Sequence, residues 1–433
     1  MKLAFRLVQI TLGVISVGSS VASAATPDFL DFSGQVRSYY FSRSNNAPGV
    51  PNANAFSLGG ILNVETKPFL GGFGVGVSLF TANSLGFNNN QAGRTDVTLM
   101  GNGSSLNALG QAFLQYKNSS FLIRGGDQII NTPWLGASDS RLLPATYQGV
   151  YAEVKPIENL KVYALRVTKW KSRTSNDYFK DNLYYPTTFA GDSIYGGSGV
   201  LGAGTQQSPG AAAVGASFTT SALTSQLWYY DFYQFAKMTY GDATYTFKTG
   251  TGFDPFIGAQ LIREVNNSSL LNGVKILTQV GSGVNATARG AKAGLNSPYG
   301  QFTVAYNQIL SHDGSVGGGG LVSPYTVGYA TDPLYTTSMI RGLVEQGPGH
   351  AVKAGYSQSF LDKKVMFSAA FTRYQTRFFG NSNNTYLDLT YFPTGKLKGL
   401  SIRDRVEVST GGIGVNPGNK AFVYNRVMVQ YPF

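Results

Sequence analysis

The sequence predicts an all-β protein: a closed antiparallel transmembrane β-barrel of about 18 strands, with short turns at one end and long loops at the other. Three observations favour this fold. Strand-like segments recur along the whole chain, the connections between them alternate between short and long, and many segments alternate apolar with polar residues. The composition agrees, since 13% of the 433 residues are aromatic, only 13% are charged and 54 are glycine.

The first 24 residues are predicted to be a secretory signal peptide, which leaves residues 25–433 as the barrel domain. Lys2 and Arg6 precede an apolar run, and Ala22-Ser23-Ala24 supplies the small-residue cleavage site. A membrane anchor is the alternative interpretation, but the apolar run is short and is interrupted by polar residues. We therefore expect the chain to be exported.

Composition argues against several kinds of site and partner. The chain has no cysteine and two histidines, so we expect no disulfide, no metal site and no cofactor. Without Lys2 and Arg6, the 34 basic residues become 32 against 22 acidic residues, which is a net charge of +10. These basic residues are scattered and form no Lys/Arg run, which disfavours nucleic acid as a partner.

A hydrolase can also be considered, because the segment SHDGSVGGGG contains His312, Asp313 and Ser315. A glycine-rich loop lacks the rigid support that a catalytic triad requires. We therefore expect a protein that is not an enzyme.

The predicted strands are separated by Gly, Asn, Pro and Ser. Their spans are 31–42, 56–67, 72–81, 110–117, 120–127, 147–156, 160–172, 211–219, 224–234, 239–248, 254–264, 286–295, 299–309, 350–360, 364–378, 385–392, 398–409 and 421–433. Connections after even-numbered strands are short, whereas those after odd-numbered strands are mostly long: 82–109, 128–146, 173–210, 265–285 and 310–349. This dependence of connection length on strand number predicts short periplasmic turns and long extracellular loops. A soluble β-sandwich is the alternative that alternation alone leaves open.

The final segment, RVMVQYPF, alternates an apolar stripe with a mostly polar one. Val427, Val429, Tyr431 and Phe433 share the apolar side. A closed barrel pairs its last strand with its first and leaves no edge. We therefore expect this strand to lie in the wall, with Tyr431 and Phe433 facing lipid at the periplasmic interface.

Several stretches resemble one family, the OprD-type substrate-specific outer-membrane porins. They are GQVRSYYFSR, FSLGGILNVETKPFLGGFGVGVSLFTANSLG, WLGASDSRLLPATYQGVYAEVKPIENLKVYAL, and DPLYTTSM followed by GHAVKAGYSQSF. Residues 173–210 and 265–285 carry no recognised motif. The resemblance implies a pore in the outer membrane of a Gram-negative bacterium, monomeric or weakly homotrimeric, in contact with outer-membrane lipid and lipopolysaccharide. It also implies basic wall residues opposed by acidic loop residues, which guide small carboxylate-bearing solutes without chemistry.

Strand parity identifies candidates for a basic strip on the lumen wall, because an Arg or Lys facing lipid at mid-membrane costs about 2–4 kcal/mol. The candidates are Arg37, Arg124, Lys353, Arg403, Arg405 and Arg426. The alternative is that some of them pair with lumen acids such as Glu407 and stiffen the wall.

Three loop residues are candidates for a constriction of the pore. By resemblance, Asp139 and Arg141 in GASDSRLLP are the best of them, and Asp332 in YATDPLY is a further one. The alternative interpretation is that these are ordinary charges of surface loops.

The sequence therefore predicts a passive diffusion channel for small anionic or zwitterionic solutes such as amino acids and organic acids. Two other functions stay open. A sugar-selective porin would use an aromatic slide, to which Tyr39, Tyr229 and Tyr374 could contribute. A structural or adhesive surface barrel would have a blocked lumen.

Overall fold

The computed structural model describes residues 28–89, 91, 93–138, 140–186, 200–326, 331–412, 416 and 420–433. The predicted signal peptide and the candidate constriction residue Asp139 lie outside the described residues. Within the described part of the chain, one sheet of 18 antiparallel strands contains nearly all of the regular structure. The predicted fold class is confirmed.

The strands of the wall are labelled β1 to β18 in chain order. Their bounds are β1 Leu30–Ser44, β2 Ala53–Thr66, β3 Phe73–Asn83, β4 Ser105–Lys117, β5 Phe121–Gln128, β6 Thr146–Ile157, β7 Leu160–Lys171, β8 Ala211–Thr219, β9 Leu223–Phe232, β10 Ala236–Thr246, β11 Asp254–Asn266, β12 Asn285–Ser297, β13 Gly300–Ile309, β14 Gly349–Phe360, β15 Val365–Thr376, β16 Gly380–Tyr391, β17 Ser401–Gly411 and β18 Phe422–Pro432. Shorter segments outside the wall are a hairpin of Lys275–Ile276 with Gln279–Val280, a helical turn Leu343–Gln346, and 3-10 turns Val316–Gly318 and Gly395–Leu397. Among the described residues, no helix combines the length and the apolar character needed to cross a bilayer.

The sheet closes on itself through pairing of β18 with β1. The register runs from Gln35 opposite Pro432 to Ser44 opposite Val423. Beyond it, the Phe433 N–H donates to the Gly34 carbonyl at 3.0 Å, and the Gly34 N–H donates to the Phe433 carbonyl at 2.9 Å. A Cβ at residue 34 would lie 2.8 Å from the Phe433 ring, so glycine gives the aromatic ring room at the seam. The predicted pairing of the last strand with the first is confirmed.

The connections sort by parity as predicted. All connections after even-numbered strands are short, from the two residues 158–159 to the nine residues 392–400, and they define the turn end of the barrel. The opposite end, here the loop end, carries the connections 84–104, 129–145, 172–210, 267–284 and 310–348. The other four connections at the loop end are shorter than these five: 45–52, 233–235, 377–379 and 412–421.

Two strands, β4 and β16, begin five residues earlier than the sequence predicts, and both differences lie at the loop end. The segment GNSNN has low strand propensity, yet Gly380–Asn384 pair fully with β15. Hydrogen bonds from a neighbouring strand override the local preference there. In β4, Gly110 is left unpaired where the register with β3 shifts, and a Cβ at that residue would lie 2.4 Å from the Phe80 ring. This bulge breaks the period-2 pattern, so the residues of β4 before Gly110 are not recognised as strand from the sequence.

Alternation along the strands separates an outer apolar belt from an inner surface. On β3, Val77 and Leu79 are exposed on the outer side, whereas Ser78 and Phe80 are buried inside. Exposed aromatic residues border the belt near the turn end: Phe73, Tyr245, Tyr299, Phe302, Tyr391 and Phe433. Such an apolar band with an aromatic girdle is typical of barrels that span a membrane.

Loops from the loop end fold into the barrel and fill much of its interior. They form two apolar clusters against inner-wall residues such as Phe41 and Tyr240. The loop members of these clusters, each at most 2% exposed, include Leu99, Met100, Trp134, Leu135, Leu142, Leu143, Leu343 and Val344. Open interior space is therefore found nearer the turn end.

Candidate solute pathway

A cavity of about 490 Å³ lies against the inner faces of β15 to β18 and β1, and reaches Ser140 of the 129–145 loop. Its lining includes Arg37, Arg403 and Arg405, so it is called the arginine cavity. Polar neighbours such as Gln430 complete a surface that suits a hydrated solute better than an apolar one.

A second cavity, of about 430 Å³, lies against the inner faces of β10 to β16. It is called the lysine cavity because Lys292 and Lys353 line it, together with Tyr335 of the 310–348 loop. Both cavities are lined by Ser368 of β15, which places them side by side in the turn half of the barrel.

Register explains how four of the strip candidates come to lie in one sector. Arg405 of β17 is opposite Arg426 of β18, which is in turn opposite Phe41 of β1. Arg403 and Arg37 lie on the same inner faces, nearer the turn end. Three adjacent strands therefore bring four guanidinium groups to one side of the wall, across the seam that closes the barrel.

Arg403 borders the arginine cavity as one member of an ion pair. Its Nε lies 2.8 Å from Oδ1 of Asp388 on β16, and its Nη2 contacts Oδ2 of the same carboxylate. Arg405 lies on the other side of Asp388, with Nε 3.4 Å from Oδ2 and 2.9 Å from the Tyr386 hydroxyl. The Arg403 side chain is 41% exposed and that of Arg405 only 9%, so Arg403 presents more charge to the cavity.

Arg37 holds the 129–145 loop against the wall. Its Nη1 donates to the carbonyl of Leu142 at 2.8 Å and to that of Arg141 at 3.2 Å, and the residue is 3% exposed. Its charge thus contributes to the field of the cavity, while its hydrogen bonds fix the path of the loop.

Arg426 is fully buried under the same loop. Its guanidinium carbon lies 5.0 Å from the centre of the Phe41 ring and 4.4 Å from that of Tyr424, and its nitrogens have no hydrogen-bond acceptor among the described residues. Arg141 contacts the same Phe41 ring, with its guanidinium carbon 5.4 Å from the ring centre. Burial, together with the charge of Arg426, lowers the pKa of Arg141 to about 9.

Two strip candidates lie outside this sector. Arg124 of β5 donates to Gln115 from Nε at 3.1 Å and from Nη2 at 2.6 Å, and stacks over the Phe113 ring at 3.9 Å. Lys353 of β14 lines the lysine cavity and donates to the Thr337 carbonyl at 2.6 Å, which ties the 310–348 loop to the wall.

Asp332 lies buried within the 310–348 loop. Its Oδ1 accepts from the Leu334 N–H at 3.1 Å and from the Thr337 hydroxyl. Burial raises the pKa of Asp332 to about 6, with hydrogen bonds and Lys353 opposing the shift. Burial likewise raises the pKa of Glu345, in the helical turn of this loop, to about 7.

Glu407 of β17 binds the same loop and is not the partner of the strip arginines. It accepts from the Ile340 N–H at 3.1 Å and from the Ser338 hydroxyl, and Asn384 of β16 donates to it as well. A buried carboxylate of the wall thus fixes the loop that separates the cavities from the loop end.

Sequence reasoning missed Asp388 and Asp96. Asp388 stands between Leu387 and Leu389, which face outward, so alternation could have identified it as an inner acid. Asp96, in the 84–104 loop, lies 3.0 Å from Nε of Arg43 and accepts from the Tyr424 hydroxyl at 2.6 Å. Burial alone would raise the pKa of Asp96, but the Arg43 charge and these hydrogen bonds lower it. No sequence signal points to this loop contact.

Comparison with known proteins relates this architecture to one family. A family model described as outer membrane porin, OprD family, matches residues 28–314. None of the curated proteins matches the chain.

Solved structures give a similar result for the fold. Pseudomonas aeruginosa OccK9 (OpdG) is 17% identical with a TM-score of 0.74, and the match covers 93% of this chain and 98% of that one. A BenF-like porin from Pseudomonas fluorescens Pf-5 is 14% identical with a TM-score of 0.74 and the same coverage. Pseudomonas aeruginosa OccK2 (OpdF) in complex with glucuronate is 15% identical with a TM-score of 0.69, again covering 93% and 98%.

Proposed function

Because the chain belongs to the OprD family of outer membrane porins, we propose that it is a passive channel for small solutes that carry a carboxylate, such as amino acids and organic acids. The chain is a β-barrel of the Gram-negative outer membrane, so its turn end faces the periplasm and its loop end the outside. The observation that carries the proposal is the arginine cavity, where Arg403, Arg405 and Arg37 converge from adjacent strands.

A guanidinium group can hold a carboxylate by two parallel hydrogen bonds. Asp388 already occupies this geometry on Arg403, so an incoming carboxylate competes with a fixed internal one. This competition weakens the binding of the solute. Conduction requires binding that is favourable enough for entry and weak enough for release, which the paired arrangement provides.

The ligand of one structurally similar porin supports this choice of solute. The OccK2 complex contains glucuronate, a sugar acid with one carboxylate. A sugar channel with an aromatic slide has less support. Tyr229 is 42% exposed on the outer side of β9, and Tyr374 is fully buried and donates to the carbonyls of Thr336 and Arg341. Among Tyr39, Tyr229 and Tyr374, Tyr39 alone lines the arginine cavity.

Single-channel recording in planar bilayers tests the proposal. We expect small carboxylates to interrupt the chloride current, and the interruption to weaken in the Arg403→Gln/Arg405→Gln variant. The matched control is Lys364→Gln/Lys398→Gln, which removes two exposed charges from periplasmic turns. Block by maltodextrins with no effect of carboxylates would favour a sugar pore instead. Absence of conductance would favour a structural or adhesive barrel.

A further inference from the structure

The outer surface of β11 to β15 carries basic side chains near its loop end. Arg263, Arg289 and Arg373 are all exposed and occupy outward-facing positions. Each follows, toward the outside, an outward apolar or small residue of its own strand: Leu261, Ala291 and Phe371 respectively. Arg289 and Arg373 therefore stand at the outer boundary of the apolar belt, whereas Arg263 lies one outward position before its end, since the exposed Val265 follows it on β11.

Strand register relates the three arginines across the sector. Arg263 is opposite Thr287, one outward position nearer the loop end than Arg289, and Arg373 is opposite Val352, one outward position nearer the turn end than His350. Arg289 is opposite Gln308, and Gln308 is opposite His350. Tyr306, the outward residue before Gln308 on β13, is 37% exposed and marks the last aromatic position of the belt on that strand. Polar groups that follow an aromatic girdle lie at the level of lipid headgroups.

The charges of Arg263 and Arg289 are oriented by hydrogen bonds but not neutralised. Nε and Nη2 of Arg289 donate to the Gln308 amide oxygen at 3.0 and 2.8 Å, and Nη1 of Arg263 donates to that of Asn285 at 2.6 Å. Neutral amides fix the direction of a guanidinium and leave its charge available. The outward positions of β11 to β15, all of which the structure describes, contain no Asp or Glu.

We propose that Arg263, Arg289 and Arg373 form a phosphate-binding surface for lipopolysaccharide, the glycolipid of the outer leaflet. Guanidinium groups bind phosphate through paired hydrogen bonds, and basic side chains at a headgroup boundary attract anionic lipid. Four strand spacings of about 4.8 Å give the surface a width of roughly 19 Å, comparable to a phosphorylated disaccharide headgroup. Leu261 and Phe371, below the arginines, would contact its acyl chains. This inference does not depend on the proposed function, because these side chains face away from the pore.

Native mass spectrometry of the full-length mature barrel in detergent, with added bisphosphorylated lipid A, tests the inference. We expect the Arg263→Gln/Arg289→Gln/Arg373→Gln variant to bind lipid A at least about tenfold more weakly, because each cationic side chain near an anionic headgroup contributes to binding. A control with Lys364→Gln/Lys396→Gln/Lys398→Gln, exposed at the periplasmic end, should bind as the wild type does. Conductance of the triple arginine variant should be unchanged.

Three results would overturn the inference: unchanged lipid A binding by the triple arginine variant, equal binding of dephosphorylated lipid A, or equal competition by phosphatidylglycerol. If the triple variant fails to fold, the three single Arg→Gln variants serve instead, and each should weaken lipid A binding by about two- to threefold. If small carboxylates do not interrupt the current of the wild-type channel but lipid A still binds, the channel proposal fails and this inference stands.

Discussion

Arg403 and Asp388 form a two-point ion pair at the edge of the arginine cavity, with Nε 2.8 Å from Oδ1 and Nη2 in contact with Oδ2. The carboxylate reduces the positive potential that an anion meets beside Arg403. Since the Arg403 side chain is 41% exposed, the pair borders the space through which a solute would move.

Replacing Asp388 with Asn should make the channel more selective for anions. Removing one charge about 4 Å from a solute position changes the energy of the solute by about 1 kcal/mol in a water-like medium, with opposite sign for anions and cations. We therefore expect the anion-to-cation permeability ratio to rise at least about fivefold. Reversal potentials in a KCl gradient measure this ratio. Asp404→Asn is the matched control, because Asp404 lies on the outer face of β17 and accepts from Asn425 at 2.6 Å. An equal shift in both variants would contradict a local effect of Asp388.

Arg403→Gln and Arg426→Gln should differ in their effect on solute binding, although each removes one charge from the same sector. Arg403 is exposed to the cavity, whereas Arg426 is fully buried against Phe41 and Tyr424. We expect Arg403→Gln to weaken block by a small carboxylate about fivefold, since a charge-assisted hydrogen bond is lost. Arg426→Gln should weaken it less than about twofold, through the remaining long-range field. The reverse order would indicate that the solute path runs beneath the 129–145 loop.

Asp96→Ala should loosen the 84–104 loop. This change leaves Arg43 and the Tyr424 hydroxyl without a buried carboxylate partner. Removing one member of a buried pair costs about 3 kcal/mol, and partial exposure of Arg43 reduces this figure. We expect cleavage by trypsin at the exposed Arg94 to accelerate at least about tenfold, a change that 1.4 kcal/mol produces.

The matched control for this loop is Asp28→Ala, an exposed residue just before β1. It should leave the rate of cleavage at Arg94 unchanged. Equal cleavage rates in wild type and Asp96→Ala would show that other contacts hold the loop.

The strands could be predicted because each carries its own signal. Alternation within β17 assigns Arg403 and Arg405 to the inside without knowledge of any other segment. The exceptions, β4 and β16, are places where pairing with a neighbour supplies what the local sequence lacks.

The partners of the inner charges are harder to predict from the sequence, because they depend on the register between strands and on the folding of loops into the barrel. Arg403 is opposite Thr390 and reaches Asp388 diagonally, a contact that only the register reveals. The sequence offers Glu407 as a partner for the arginines, but this carboxylate accepts a hydrogen bond from the loop N–H of Ile340 instead. The sequence of a loop that folds inward has no periodicity from which its position inside the barrel could be predicted.

Two buried carboxyl groups make the packing of the 310–348 loop sensitive to pH. Burial raises the pKa of Asp332 to about 6 and that of Glu345 to about 7, and the charged groups around them are Lys353, Arg341 and Glu407. Both values lie above the ordinary values of 3.8 and 4.5. The stability that each protonated group gives to the packed loop is therefore complete below its ordinary pKa and is lost as pH rises through the raised value.

We accordingly expect the loop to be held more firmly at pH 5 than at pH 8, because ionisation of a buried carboxyl group disfavours the packed state. Single-channel records should show more frequent transitions between current levels at pH 8. In the Asp332→Asn/Glu345→Gln variant neither residue can ionise, so the records at the two pH values should become alike. The control Asp362→Asn alters an exposed periplasmic turn and should keep the wild-type response. If the double variant retains the full pH response, the titrating groups lie elsewhere, and the buried carboxyl groups serve only to pack the loop.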